Sequence, residues 1–393
     1  MPVINRIADF HDDMTAWRRD IHAHPETAFE ENRTADIVAD RLESFGIDVH
    51  RGLARTGVVG RLRAGASDRT IGLRADLDAL NLLEKNDFDY RSKHDGKMHA
   101  CGHDGHITML LGAARYLAET RNFDGTVHFI FQPAEEGGAG GKVMVDEGLF
   151  EKFPCTAVYG MHNWPGMARG RIGVRTGAMM ASADMFEIRI RGRGGHAAMP
   201  HHAVDPVVVG AQMVGALQTI ASRTNDPLDS VVVSVTQFHA GTADNVIPDE
   251  AVLSGTCRAL SPEGRDMIER RMRETVAGIA AAHGITADLD YRRNYPVLVN
   301  TAEETQRAAC AAAKVVGEAN VAVDDPPVMG SEDFAFMLQA KPGSYVWIGN
   351  GVGAEGGCMV HNPHYDFSDE ILPVGASYWA ALVEQELPRD RPA

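Results

Sequence analysis

Apolar positions along this chain recur at two different spacings. Between residues 31 and 45, Ile37, Val38, Leu42 and Phe45 share one helical stripe, and Gly46 closes it. Ile107, Leu110, Leu111, Ala114 and Leu117 repeat the pattern further on. An opening helix around 12–19 is ended by Pro25. Between these segments, short apolar runs at 57–63, 70–75, 127–131 and 157–161 read as strands, the last two as buried ones. Strands alternating with helices predict an α/β core with a largely parallel sheet, whose sites would form at the carboxyl ends of the strands.

The middle of the chain follows another rule. Residues 185–191 mix apolar and polar positions, as a strand with one solvated face does. A helix is expected at about 205–221 and strands at 230–238 and 251–258. Ser261 would cap a long helix ending at Gly284, and a last strand would lie near 285–291. The order β-α-β-β-α-β is the split βαβ pattern of ferredoxin-like domains. Helix at 302–316, strand at 345–348 and helix at 371–386 complete the chain. The expected layout is a discontinuous α/β domain over 1–178 and 296–393, with a βαββαβ domain over 179–295 inserted.

Two domains also suit the length, since 393 residues exceed what one core usually organises. Lys and Arg total 38 against 54 Asp and Glu, a formal charge of −16, which argues against nucleic acid or an anionic membrane as main partner. No apolar run approaches the ~18 residues of a membrane span. The N-terminus lacks a basic stretch followed by an apolar one, so a cytoplasmic location is expected. Cysteines stand at 101, 155, 257, 310 and 358, an odd number with no CxxC pair. That is no disulfide framework, and most are expected as small buried residues.

Cys101 is set apart by its neighbours. Met98-His99-Ala100-Cys101-Gly102-His103-Asp104-Gly105-His106 concentrates thiol, imidazole and carboxylate, the ligands of zinc-type metals. Asp104 is expected to cap the helix that follows. An ordinary polar loop around one buried thiol is the simpler alternative. Phe131-Gln132-Pro133-Ala134-Glu135-Glu136-Gly137-Gly138 places adjacent carboxylates in a loop at a strand end. One could bind a metal while the other holds a water, or both could be solvated surface. Asp76 leaves the strand end Leu73-Arg74-Ala75-Asp76 and could orient a ligand or simply form a turn. His162 and His361 stand in Met161-His162-Asn163-Trp164 and Met359-Val360-His361-Asn362. In the insert, the glycines of Gly192-Arg193-Gly194-Gly195-His196 suggest a close-approach loop, and Asn245 lies in a loop between two strands.

As a set, these segments resemble the M20 metallopeptidase clan. Within it they are most similar to the M20D branch of N-acyl-amino-acid amidohydrolases, which includes hippurate hydrolases, aminoacylases and auxin-conjugate hydrolases. The resemblance runs through 22–26, 72–80, 98–106, 132–138, 161–165, 192–206, 245–248, 330–334 and 361–367. It implies a di-metal α/β catalytic domain with an inserted dimerisation domain. It implies Cys101, His103, Glu136, His162 and His361 as ligands of two divalent ions (zinc, manganese, cobalt or nickel), with Cys101 where the wider clan has a bridging aspartate. Glu135 would be the general base and Asp76 a residue that orients a ligand. His196 would reach the neighbouring subunit's site in a homodimer or tetramer, and Asn245 and Arg258 would contact substrate. The implied reaction cleaves N-acyl-L-amino acids to a carboxylic acid and an amino acid, through attack by a metal-bound hydroxide. Ala197-Ala198 stands where relatives often have Gly-Ala, and Asn81-Leu82 where they often have proline and an apolar residue. A dipeptidase or carboxypeptidase of the same clan is the alternative. A non-catalytic metal-binding dimer fits less well, because Glu135 is present.

Overall fold

The computed structural model describes residues 3–353 and 356–389. The chain divides into two compact units. The first comprises Met1–Gly177, Val299–Pro326 and Asp333–Ala393; the second comprises Ala178–Leu298 and Pro327–Glu332.

The first unit is built on an eight-stranded mixed sheet. Its strand order is Asp48–Leu53, Gly57–Ala64, Gly125–Gln132, Thr70–Asp76, Ala157–Pro165, Gly343–Gly351, Ile172–Val174 and Val321–Val323. The central strands run parallel: Thr70–Asp76 pairs in parallel with both Gly125–Gln132 and Ala157–Pro165, and the latter with Gly343–Gly351. Antiparallel pairing enters on both sides of this centre, so the sheet is mixed rather than largely parallel. Gly125–Gln132 is buried at every position, the polar Thr126, His128 and Gln132 included, as a strand inside the sheet is. Helix His103–Thr120 packs on strand Thr70–Asp76 and against helices His11–Ala23 and Leu372–Glu386. Asp48–Leu53, Ile172–Val174 and Val321–Val323 were not expected as strands. The first is an almost wholly exposed edge and the others have three residues each, too few to carry a period.

The second unit has the order β-α-β-β-α-β. Its four strands lie antiparallel in the order Val231–Ala240, Glu250–Ala259, Ala183–Arg191 and Thr286–Tyr295. Phe186, Ile188 and Ile190 alternate onto the buried face and join Met213 and Leu217 of helix Pro206–Thr219 and Ile268, Met272 and Val276 of helix Pro262–His283. Asp205 caps the first helix, with Val207 N–H donating at 2.8 Å. Ser261 caps the second through Gly264 N–H at 2.9 Å, and Gly284 closes it at φ 60°. Buried Asp184 ties that helix to the sheet through Arg265 at 2.6 Å and the Tyr291 hydroxyl at 2.9 Å. All five cysteines are free; Cys101, Cys155 and Cys257 are buried and Cys310 is exposed. Among the described residues, no helix is long and apolar enough to cross a membrane.

Candidate metal centre

Three neighbouring parallel strands end together, and each delivers a side chain to one place. Thr70–Asp76 ends in Asp76, Gly125–Gln132 runs into the Glu135–Glu136 turn, and Ala157–Pro165 carries His162 near its end. Cys101 and His103 arrive at the start of helix His103–Thr120, with Gly102 between them at φ 91°. A Cβ on Gly102 would stand 2.2 Å from Asn163 Oδ1 and 2.5 Å from the Tyr365 hydroxyl, so only glycine fits. His361 lies at φ 64°, its backbone N–H donating to Ala100 O at 2.7 Å.

The potential ligand atoms form overlapping groups within 4.8 Å: Cys101, His103 and His162; Cys101, Glu136 and His361; His103, Glu135 and Glu136. Cys101 belongs to two of them. Its Sγ lies 3.3 Å from His162 Nε2, and His361 Nε2 lies 3.1 Å from Glu136 Oε1. The histidines are oriented from behind. His162 Nδ1 faces Asn163 O at 2.6 Å and His103 Nδ1 faces Asp78 O at 2.8 Å. Donation to those carbonyls turns each Nε2 toward the cluster, the arrangement metal-bound histidines use. His103 Nε2 is buried and has no hydrogen-bond partner among the described residues. Burial opposes a charge on His103, yet Asp76 and Asp78 raise it to about 10. Burial first, then the Glu136 and Glu135 carboxylates, push the Cys101 thiol well up, and burial holds His162 well down. A position that draws a proton to Nε2 also draws a cation in its place, and a thiol confined beside carboxylates ionises when it gains a metal. Soft sulfur, imidazole and carboxylate together fit divalent transition metals.

The Glu135–Glu136 turn is held by its backbone. Ala134 precedes it at φ 56°. Asp78 Oδ1 accepts the N–H of Glu135 at 3.0 Å, and Oδ2 that of Glu136 at 2.9 Å. Glu135 is buried, and its Oε1 accepts the N–H of Asp333 at 3.3 Å. Asp333 in turn accepts from Arg74 at 3.0 Å, Gln132 at 2.8 Å and Gly141 N–H at 2.8 Å. Asp78 and Asp333 lie in the segments 72–80 and 330–334 that resemble the family, which gave neither a role. A carboxylate that grips main-chain donors carries no side-chain signature.

Asp76 grips His106 Nδ1 at 2.6 Å and Arg74 at 2.7 Å, while His103 Nε2 stands farther off at 3.7 Å. His106 continues to Asn163 Oδ1 at 2.8 Å, and Asn163 donates to the Tyr365 hydroxyl at 2.6 Å. The expected helix cap at Asp104 is corrected by the structure. Gly102 is the N-cap residue and no side chain caps the helix. Asp104 instead points into the interior, where it meets His22 Nδ1 at 2.8 Å and Arg18 at 3.5 Å, both fully buried. Two buried cations outcompete a local backbone N–H for its carboxylate.

His196, Asn245 and Arg258 belong to the second unit. His196 is exposed on the short strand Gly195–His196, paired with Val246–Ile247, and Asn245 O accepts the N–H of Ala197 at 3.0 Å. His196 Nδ1 accepts the N–H of Ala198 at 3.1 Å, which leaves Nε2 as the protonated donor of the neutral ring. Arg258 is half-buried on strand Glu250–Ala259, and its guanidinium donates to Ser331 at 3.1 Å.

Residues 72–385 match the model of peptidase family M20/M25/M40. The chain is 43% identical to a hippurate hydrolase of Campylobacter jejuni, over 97% of this chain and 98% of that protein. It is 38% identical to an N-acetylcysteine deacetylase of Bacillus subtilis, over 95% and 96% respectively. The solved Bacillus subtilis YXEP protein, described as a dinuclear metal binding peptidase of the M20 family, superposes with a TM-score of 0.85 at 35% identity, covering 97% of this chain and 99% of that one.

Proposed function

This chain belongs to peptidase family M20/M25/M40, and from that premise we propose that it is a metal-dependent amidohydrolase that cleaves N-acyl-L-amino acids to a carboxylic acid and a free amino acid. That it is a hydrolase of amide bonds follows from the full-length likeness to the hippurate hydrolase and the deacetylase. The observation that carries the finer reading is a buried Glu135 side chain beside two ligand groups that share Cys101.

Cys101, His103, Glu136, His162 and His361 would hold two divalent ions. Such ions lower the pKa of a water toward ~7 and polarise the scissile carbonyl. Glu135 takes the proton of the attacking water and returns it to the leaving amine. Asp78 keeps the Glu135–Glu136 turn in place through two N–H bonds, so the base does not drift during the transfer. His196 offers its Nε2–H to the oxyanion of the partner subunit's substrate, a contact whose removal commonly costs ~10²–10³ in rate. Asn245 and Arg258 would receive the carboxylate of the leaving amino acid, a charge-assisted pairing. A homodimer through the second unit is supported by strand Val231–Ala240, which among the described residues pairs on one side only, and by exposed Val208 and Phe238.

Metal-dependent amine release tests this. N-acetyl, N-benzoyl and indole-acetyl amino acids and free dipeptides are assayed on metal-free protein and with Mn, Co, Ni or Zn. Turnover of the acylated set alone is expected. Turnover of dipeptides alone would move the protein to the peptidase side of the family.

A further inference from the structure

Glu31 is a fully buried carboxyl group that none of the steps above uses. It stands just before helix Asn32–Ser44. Its Oε1 accepts two backbone N–H groups, from Phe29 at 3.0 Å and from Ala134 at 2.9 Å. Its Oε2 accepts the Thr56 hydroxyl at 2.6 Å.

The residues meeting at this carboxylate share an unusual backbone. Phe29 at φ 63° and Ala134 at φ 56° are left-handed without being glycine, and Ala54 and Arg55, just before Thr56, stand at 49° and 71°. Such conformations persist only where the surroundings hold them. One carboxylate therefore ties together three strained turns that are far apart in sequence. One of them ends at Ala134, immediately before Glu135. The φ of residue 134 sets the direction in which the chain presents the Glu135 side chain. Phe29 supports the same turn from the other side, since a Cβ on Gly138 would lie 3.0 Å from its ring. Burial pushes Glu31 up to about 7, with Asp78 adding to the rise, against the pull of the Thr56 hydroxyl and the Ala134 N–H.

We propose that Glu31 is a positioning residue for amide hydrolysis: by holding the N–H of left-handed Ala134, it aims the Glu135 carboxylate at the metal-ligand cluster. The inference rests on Glu135 acting as the base. Glu31→Gln keeps a carbonyl oxygen for both N–H groups and an amide to face Thr56, whereas Glu31→Ala strands both N–H groups.

The test compares the parent with both variants by kcat and KM on an N-acyl amino acid, bound metal, and hydrogen exchange of peptides covering 132–137. The glutamine variant is expected within about threefold of the parent, whereas the alanine variant loses about tenfold or more in kcat with KM within about twofold. Its metal content should equal the parent's, and exchange at 132–137 should be faster. The inference is overturned by parental kcat and exchange in the alanine variant, by equal damage in both variants, or by a kcat loss matched by lost metal. Should Glu31→Ala not fold, Glu31→Asp replaces it, with a carboxylate one methylene too short to span to Ala134. Reduced kcat and faster exchange are expected there, and parental values overturn the inference. A parent silent on every substrate would overturn the proposed substrate class instead, and exchange, which needs no turnover, would then judge Glu31.

Discussion

Asp78 Oδ1 receives the backbone N–H of Glu135 at 3.0 Å, while its other oxygen takes the next N–H along the chain. The peptide carbonyl of Asp78 meanwhile faces His103 Nδ1 at 2.8 Å. The Asp78 side chain also approaches that ring, with Oδ1 3.4 Å from Nδ1. Asp78→Ala removes both N–H contacts of the turn and this approach, and leaves the carbonyl that faces His103. It should lower kcat about 10- to 100-fold, through misplacement of the base, while His103 keeps its orientation. Steady-state kinetics with metal analysis would check this; parental kcat would remove Asp78 from the machinery.

Glu135→Gln preserves shape and hydrogen bonding but cannot take a proton. Its kcat should fall by about 10²–10⁴, the range for a general base, with bound metal unchanged by elemental analysis. Activity near the parent's would assign the base elsewhere.

Cys101 belongs to two of the ligand groups, so its replacement should affect both ions together. Cys101→Ser exchanges a soft ligand for a poor one, and the metal-to-protein ratio after dialysis should drop well below the parent's. A chelator should destabilise the parent more than Cys101→Ser, because bound metal stabilises only the folded state. Equal metal content in both proteins would exclude the thiol as ligand.

His196 and Glu135 are proposed to meet across subunits. Mixed Glu135→Gln and His196→Ala proteins, each inactive alone, should regain activity when subunits exchange, since one of the two hybrid sites then carries both intact residues. Silence of the mixture, with exchange shown by mass, would place His196 in its own subunit's site or outside the reaction.

Stability should fall in acid partly through His128, which lies away from the metal cluster on strand Gly125–Gln132. Burial, and then Arg61 opposite it on the neighbouring strand, hold His128 down to about 4. The unfolded chain takes up its proton near the ordinary value of 6.5, so between those values it binds more protons than the folded one. Stability from a neutral His128 is therefore present above pH 6.5 and is lost as pH falls toward 4, about 2 kcal/mol of it by pH 5. In His128→Gln the difference in unfolding free energy between pH 7.5 and pH 5 should shrink by that amount, as read from urea titrations; an unchanged difference would refute the shift.

The elements and the chemistry were legible to different degrees. Gly125–Gln132 and Ala157–Pro165 could be read as buried strands because the mostly apolar stretches at 127–131 and 157–161 carry their burial with them. The second unit showed its order through caps and periods that are local, such as Ser261 and Gly284. The exposed edge Asp48–Leu53 had no such pattern and was missed. Cys101, His103, Glu135, Glu136, His162 and His361 could be singled out because scarce or paired residue types stand near strand and helix ends, and a known family orders them the same way.

What no local pattern carried is the second layer. Asp104 has the composition of a helix cap and became the partner of His22 and Arg18. Glu31, Asp78 and Asp333 look in sequence like any solvated carboxylate, yet each is buried and bonded to main-chain N–H groups that are distant in the chain. Periodicity, capping and residue chemistry act over a few positions, so the chain alone settled its longer elements, its family and its candidate ligands. Burial and main-chain hydrogen bonding depend on which segments meet, so only the folded structure decided which carboxylates hold the turn that presents Glu135.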